Sequence, residues 1–557
     1  GISDPIDQII LKYSNHPSII NINNNVTKSI FSFSEINLKD VESELNNLNC
    51  RKSCKSDSIP SRFLKDYSST CSESLRNIIN SGLRNASFDT KLKFADIVPI
   101  HKKGDRLDKQ NYRPISLLPV TSKIFEKIMQ KQIGTFMDEH LSQYLCGYRK
   151  GFNAQHALLS LLEKWRISLD NKGYGGAILM DLSKAFDTLN HELLIAKLHA
   201  YGFDKNALKL IRSYLTNRWQ RTKVNSSVSS WIELILGVPQ GSVLGPLLFN
   251  LFINDLFYVI KEIDTCNYAD DNTLHTTDLR LDKLMEKLEG AADKALIWFK
   301  NNGMKMNSDK CHLLISGHKH EVLIANVGGE QVIESNNVRL LGIDLDSQLS
   351  FSDHLNGILC KASSKLNALC RLCALLPFHR KRILMHAFIF SQFKYCPLIW
   401  MCHNRGINHK INNLPCRALR MVYNDYVSSF EQLLEKDGSV MIHQQDLRAM
   451  AIEMFKVEND IVPPFMSDIF TKNNLLTGNV SAYRRFRSSF YNAINPRTRN
   501  YGLETLRSLG PKIYEMIPND IKKSPSVQIF KSKIKNWVPS QCLCRLCSTY
   551  VAKVGYI

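Results

Sequence analysis

Three aspartates stand at positions from which they could share one metal site. Asp181 closes the apolar run of GGAILMDL, a compact stretch that follows two glycines and reads as a buried strand. Asp270 and Asp271 lie together in TCNYADDNTLHT, which reads as two short strands joined at the acidic pair. If those strands are neighbours in one sheet, three carboxylates converge on one point. Hard magnesium ions take carboxylate oxygens. Two such ions about 3.5 to 4 Å apart supply the charge neutralisation and in-line positioning that phosphoryl transfer demands. An isolated Asp-Asp pair is also good turn chemistry, so the pair alone leaves both readings open.

The elements that must position these residues are legible from periodicity. FADIVPIHKKGD is a short β-favouring run ending in lysines and a Gly-Asp turn, the signal of a basic, solvent-facing hairpin. HELLIAKLHAYGF repeats apolar residues every three or four positions, with Gly202 as its stop. DKLMEKLEGAADKALIWFKNNG is a long amphipathic helix ending at Gly303. Upstream, SEINLKDVESELNNL carries helical spacing with Ser34 as a candidate N-cap, and a further helix is expected over Cys71 to Leu83. The segment before Phe31, with its asparagine tract Asn21 to Asn25, is polar and weakly periodic and reads as a linker over 1–30. Beyond Asp353 the pattern turns helical, with Leu355, Leu359, Ala362, Leu366 and Leu369 on one face, as in a small bundle.

Composition narrows the class. A chain of 557 residues with 44% hydrophobic content is long enough for several packed subdomains. Its formal charge of +20 suits a polyanionic partner such as nucleic acid. The longest apolar stretch, LLFNLFINDLFYVI, is interrupted by Asn250, Asn254 and Asp255 and falls short of the roughly 18 residues of a membrane span, so no membrane partner is expected. An odd count of 15 scattered cysteines with no secretory leader points to reduced thiols, no disulfide framework, and a cytoplasmic or nuclear protein. The chain begins at Gly1 rather than Met and is read as part of a longer product.

The motifs ADIVPIHKKGD, NYRPISLLPVTSKIFEKIM, GYRKGF, MDLSKAFDTLNHELL, GVPQGSVLGPLLFNLFINDL, YADD, NGMKMNSDKC and VRLLGIDLDSQLSF occur in an order and spacing that resemble the reverse transcriptases of non-LTR, LINE-like retrotransposons of the Jockey, CR1 and RTE type. The resemblance covers roughly Phe31 to Asn424. It implies an α+β right-hand polymerase: fingers and a palm with an antiparallel sheet over 31–350, a helical thumb over 351–425, and a basic, mostly helical nucleic-acid-binding region over 426–557. The implied reaction is RNA-directed extension of a DNA 3′ end. Its partners would be an RNA template, a DNA primer or target, and deoxynucleoside triphosphates, with an endonuclease encoded upstream. Two Mg²⁺ ions would serve as cofactor, Mn²⁺ being a possible substitute. A catalytically decayed remnant that binds RNA without copying it is the alternative, which loss of the carboxylates would favour.

Residue by residue, the resemblance makes Asp181, Asp270 and Asp271 the metal carboxylates, with the backbone carbonyl of Leu182 completing the ligand set. Phe186 resembles a steric gate whose ring would clash with a ribose 2′-hydroxyl. Gln240 and Gly241 match the segment that meets the incoming nucleotide and template base, where glycine permits close backbone approach. Arg113 matches the finger arginine, whose planar fork suits phosphate oxygens, and Lys102 and Lys103 are either further phosphate contacts or a solvated face. Lys310 resembles a lysine that protonates the pyrophosphate leaving group. Leu340, Leu341 and Gly342 look like a primer grip. Asp187 and His191 are read as structural. Two departures stand out: KSCKSDSIP lacks a glycine near Lys55, and Asn272 replaces the more usual Thr or Ser after YADD.

Two C-terminal features remain. YRRFRSSFYNAINPRTRNY interleaves Arg484, Arg485, Arg487, Arg497 and Arg499 with Phe486, Phe490 and Tyr491, which suits either single-stranded nucleic acid or a self-packed basic loop. CLCRLC offers Cys542, Cys544 and Cys547, three of the four ligands that zinc normally takes, with no obvious fourth.

Overall fold

A four-stranded antiparallel sheet runs in the order Asp264–Tyr268, Asp271–Asp278, Tyr174–Asp181, His312–Ser316. The structure is a computed structural model that describes residues 4–27, 29–55, 59–307, 310–318, 321–470, 496–537 and 546. Both faces of the sheet are covered, which is why GGAILMDL shows no polar alternation. Ala177 and Leu179 join Leu162 and Trp165 of the helix Ala154–Asp170, whereas Ile178 and Met180 join Leu284 and Leu288 of the helix Leu281–Asn301. A second sheet pairs Phe94–His101 with Tyr112–Leu117 antiparallel and with Arg218–Val224 parallel. The first two of these strands form the expected basic hairpin, and Lys102, Lys103 and Arg106 are exposed on its loop. The chain is thus α+β.

Two local expectations are corrected. The opening segment is not a linker: Pro5–Lys12 and Pro17–Asn25 are helices, each with proline in its first turn and a side-chain cap, from Asp4 and His16. Ile6, Ile9, Ile19 and Ile22 are buried in the core, and Asp4 pairs with Lys205 and Lys209. Isoleucines three apart carried that signal, and the surrounding asparagines masked it. The helix Leu38–Asn46 starts not at Ser34 but at Asn37, which forms a reciprocal capping box with Asp40, while Ser34 bonds to Gln132.

From Ser352 onward the described residues are mainly helical, with Ser352–Leu372, Phe378–Phe388, Arg405–Tyr423, Ile442–Glu458 and Leu506–Glu515 the longest described elements. Leu355, Ala362, Leu366 and Leu369 are buried as expected, with Leu359 packed against the same cluster. The core does not break at 350 or at 425. One apolar cluster runs from Leu158 and Trp165 through Leu355, Leu419 and Met454 to Phe530. Glu453 meets His156 at 2.5 Å with both side chains buried, and Glu163 accepts from the backbone N–H groups of Leu506 and Arg507. A change of composition marks where helices begin, not which neighbour they pack on. Arg484, Arg485, Phe486, Arg487, Phe490 and Tyr491 lie outside the described residues, as do Cys542, Cys544 and Cys547. At the described end of the basic tract, Arg499 pairs with Glu504, and the Arg497 and Thr498 N–H groups donate to Asp170.

No described helix is long and apolar enough to cross a membrane. The polar residues of LLFNLFINDLFYVI are buried and partnered. Asn250 Nδ2 donates to Gly147 O at 2.8 Å, and Asn254 Oδ1 accepts from Ser142 N at 2.8 Å. Asp255 accepts from Lys197 Nζ at 2.6 Å and from Trp298 Nε1 at 2.7 Å. Lys197 also lies over the Phe252 and Trp298 rings, at 4.2 and 4.6 Å. Burial holds the Lys197 ammonium down to about 8 against the opposing charge of Asp255. Asp255→Ala would strand that ammonium in the core, and the expected loss in a denaturant titration is about 3–5 kcal/mol. A loss under about 1 kcal/mol would contradict the pair's role.

Candidate active site

The antiparallel register sets Asp181 directly opposite Asp271, and Tyr268 faces Asp271 from the other side. Ala269 and Asp270 form the two-residue turn between the strands, and Ala269 takes a left-handed φ of 61°. That conformation costs an L residue about 1–2 kcal/mol, so neighbours must hold it. Cys146 N–H donates to Asn267 O at 3.0 Å. Gly147 lies so close that a Cβ there would stand 2.5 Å from Ala269 N. Asn272 ties the turn from within, its Nδ2 donating to Asp270 O at 3.1 Å while its Oδ1 accepts from Asn267 Nδ2 at 2.6 Å. The departure from Thr or Ser thus adds a side-chain amide that bridges both strands.

Lys310 Nζ donates to Asp181 Oδ2 at 2.6 Å, which places its ammonium beside the first of the three aspartates. The Asp271 carboxyl is pushed up to about 6, first by burial and then by the charges of Asp270 and Asp181, with Lys102 and Lys310 pulling the other way. Three carboxylates brought to one point, one of them raised by burial and by the charges of the other two, are the donor chemistry that suits a hard divalent cation. Among the described residues no three His, Cys, Asp or Glu side chains already stand in ligand geometry, Asp181 being held by Lys310. At Leu182, the bonds of its bridge to Met306 are made by Asp181 O and Ser183 N on either side, so the bridge does not use the Leu182 carbonyl.

The raised carboxyl has a stability consequence. The folded Asp271 binds a proton more tightly than the unfolded value of 3.8 allows, so its contribution favours folding below that window and is lost as pH rises through about 6. Asp271→Asn is therefore expected to raise the melting temperature of the metal-free protein at neutral pH, with the advantage gone below about pH 4. Mg²⁺ should stabilise the parent more than the variant. A variant no more stable than the parent at neutral pH would contradict the crowding.

The residues expected to meet a nucleotide gather only in part. Arg113 is exposed on the hairpin strand, in register with Ile100, and its charge reaches Tyr148 beside the acidic turn. Lys102 reaches Asp271, whereas among the described residues no contact brings Lys103 to the carboxylates. Phe186 is half-buried and stacks on Phe249 at 4.5 Å. Gln240 Nε2 donates to Asp187 Oδ1 at 2.9 Å, and Gln240 O accepts from Ser116 N at 2.7 Å, joining this loop to the hairpin strand. Gly241 has φ 119°, and a Cβ there would meet Ser116 O at 2.7 Å, so the approach requires glycine. His191 Nε2 donates to Gly237 O at 2.7 Å, a structural use like that of Asp187. Leu341 and Gly342 form the tip of the hairpin Asn337–Leu340 and Ile343–Asp346, and Tyr395 Oη donates to Leu341 O at 2.6 Å.

Two contributors escaped the sequence reading. Glu126, on the helix Val120–Met137, is fully buried and accepts from Val243 and Leu244 N–H at 2.6 and 3.1 Å, capping the helix Gly245–Ile253 that follows the Gln240 loop. A lone glutamate inside the apolar run IFEKIM was the available sign. Tyr148 is the other: it stands edge-on to Phe186 at 6.0 Å. Its only sign was an aromatic residue in a loop with two glycines and two basic residues, GYRKGF.

Residues 100–345 match the family described as reverse transcriptase (RNA-dependent DNA polymerase). The chain is 28% identical over 338 residues to the RNA-directed DNA polymerase from the mobile element jockey of Drosophila melanogaster, covering 58% of this chain and 37% of that protein. It is 27% identical over 406 residues to the probable RNA-directed DNA polymerase from transposon BS of the same species, covering 70% and 44%. A retrovirus-related Pol polyprotein from the type-1 retrotransposable element R2 of Nasonia vitripennis is 25% identical over 254 residues, covering 43% and 24%. The chain spans less than half the length of these curated relatives. Residues 100–345 are thus similar to the reverse transcriptase family, and the chain resembles the RNA-directed DNA polymerases of the jockey and BS mobile elements.

Proposed function

We propose that this chain is an RNA-directed DNA polymerase that extends a DNA 3′ end on an RNA template by two-metal phosphoryl transfer, in the service of retrotransposition. The observation that carries the reading is the in-register pairing of Asp181 with Asp271 beside Asp270, with the charges of Lys102 and Lys310 bearing on the same point. In right-hand terms the four-stranded sheet is the palm, the Phe94–His101 and Tyr112–Leu117 hairpin the fingers, and the helices from Ser352 the thumb. Asp181, Asp270, Asp271 and the Leu182 carbonyl would hold Mg²⁺, which when bound neutralises phosphate charge and favours ionisation of the primer hydroxyl.

The remaining work falls to the chain's own residues. Arg113 grips the triphosphate through its planar fork, and Lys102 adds charge nearer the carboxylates. Gln240 and Gly241 present backbone to the base pair being formed, held in place by Asp187 and Ser116. Lys310 carries a proton for the departing pyrophosphate. Phe186, supported by the buried Phe249, closes the space a ribose 2′-hydroxyl would take. The reading is tested by single-nucleotide incorporation on an RNA template with a DNA primer, comparing deoxy- and ribonucleotides. The parent should prefer the deoxynucleotide, and Phe186→Val should narrow that preference by at least about tenfold, the scale of one steric contact. A parent indifferent to the sugar, or a variant with unchanged preference, would contradict the gate.

A further inference from the structure

We propose that Tyr148 contacts the incoming nucleotide and determines specificity, forming with Phe186 the second wall of a pocket for the sugar of a deoxynucleoside triphosphate. The inference deepens the reading above and rests on it. Tyr148 is 53% exposed and has a left-handed φ of 58°. A large ring left half in solvent on a backbone conformation that L residues avoid is a strained arrangement, and such strain persists only where the surroundings impose it.

The surroundings here do impose it. On one side, Leu145 bridges Asn267, Cys146 N–H donates to Asn267 O, and Asn250 holds the Gly147 carbonyl. On the other, Arg149 donates to Ser142 O at 2.8 Å and to Asp138 Oδ1 at 3.1 Å, and its guanidinium lies 4.3 Å from the Phe152 ring centre. Tyr148 is thus fixed to the strand and turn that carry the acidic pair. Its ring stands at 87° to Phe186, which in turn stacks on Phe249, giving a ladder from buried through half-buried to exposed ring. The exposed rung ends in a hydroxyl on which the charges of Asp270, Asp271 and Arg113 all bear. Among the described residues that hydroxyl has no hydrogen-bond partner. A furanose lying against Phe186 would meet the Tyr148 ring on its other flank, and the phenol could donate to the sugar–phosphate edge.

A binding measurement that needs no chemistry tests this. Complexes of the chain with an RNA template and a dideoxy-terminated DNA primer are titrated with the complementary deoxynucleoside triphosphate in Mg²⁺, and then with the ribonucleotide. Tyr148→Phe should weaken deoxynucleotide binding by about two- to tenfold, the worth of one hydrogen bond. Tyr148→Ala should weaken it further and also narrow the deoxy-over-ribo preference, because Phe186 loses its flanking ring. Melting temperatures near the parent's would show that neither effect is a folding loss. A parent that discriminates while both variants match it overturns the role of Tyr148 alone. A parent that binds no nucleotide, or binds both sugars equally, overturns the gate and this inference together.

Discussion

Replacing Asp270 by Asn is expected to reduce nucleotide incorporation by at least about a thousandfold, since a metal ion supplies several kcal/mol of transition-state stabilisation and each 1.36 kcal/mol is tenfold in rate. The substitution keeps the shape of the turn. Asn272 bonds to the backbone carbonyl of Asp270, not to its side chain, so the hairpin should stay folded. It also removes one of the like charges that raise the Asp271 carboxyl. The variant should therefore bind RNA–DNA duplex as the parent does and melt no lower, while single-turnover incorporation is lost. Asp181→Asn is expected to behave alike in rate, with Lys310 deprived of its ion pair. An Asp270→Asn protein retaining a tenth of parental activity would exclude this carboxylate as a metal ligand.

The second large effect needs no charged residue. At Gly147 an added methyl would stand 2.5 Å from Ala269 N, 3.1 Å from Ala269 Cα and 3.3 Å from the Tyr268 carbonyl carbon, all backbone atoms that cannot rotate aside. Gly147→Ala must therefore displace the turn that carries Asp270. A misplacement of about 1 Å at reacting groups costs on the order of a hundredfold in rate. Incorporation should fall by about that factor, with template–primer binding preserved. Gly134 and Gly357, where an added Cβ meets nothing within 4 Å, provide controls whose alanine variants should stay active. Full activity in Gly147→Ala would show that the turn tolerates movement.

These two positions also show what could be read in the chain and what could not. The apolar run to Asp181 and the short strands around the acidic pair were legible because burial on both faces removes polar alternation, and the register that pairs Asp181 with Asp271 follows once the strands are adjacent. The basic hairpin and the Leu281–Asn301 helix were legible for similar reasons of local pattern. Gly147 was not: glycine required by another segment's backbone looks like glycine required by its own. Glu126, the Lys197–Asp255 pair and the His156–Glu453 contact were hidden because their partners lie far off in sequence, and a charged residue in an apolar run shows only that some partner exists. The continuity of the core past 425 was hidden likewise, since helical periodicity reports a buried face without naming what buries it.

The central claim is tested most directly by extension of a DNA primer along an RNA template with deoxynucleotides and Mg²⁺, run with the parent and Asp270→Asn in parallel. Full-length complementary DNA from the parent and none from the variant is the predicted result. A folded parent that binds the RNA–DNA duplex yet adds no nucleotide would contradict the account.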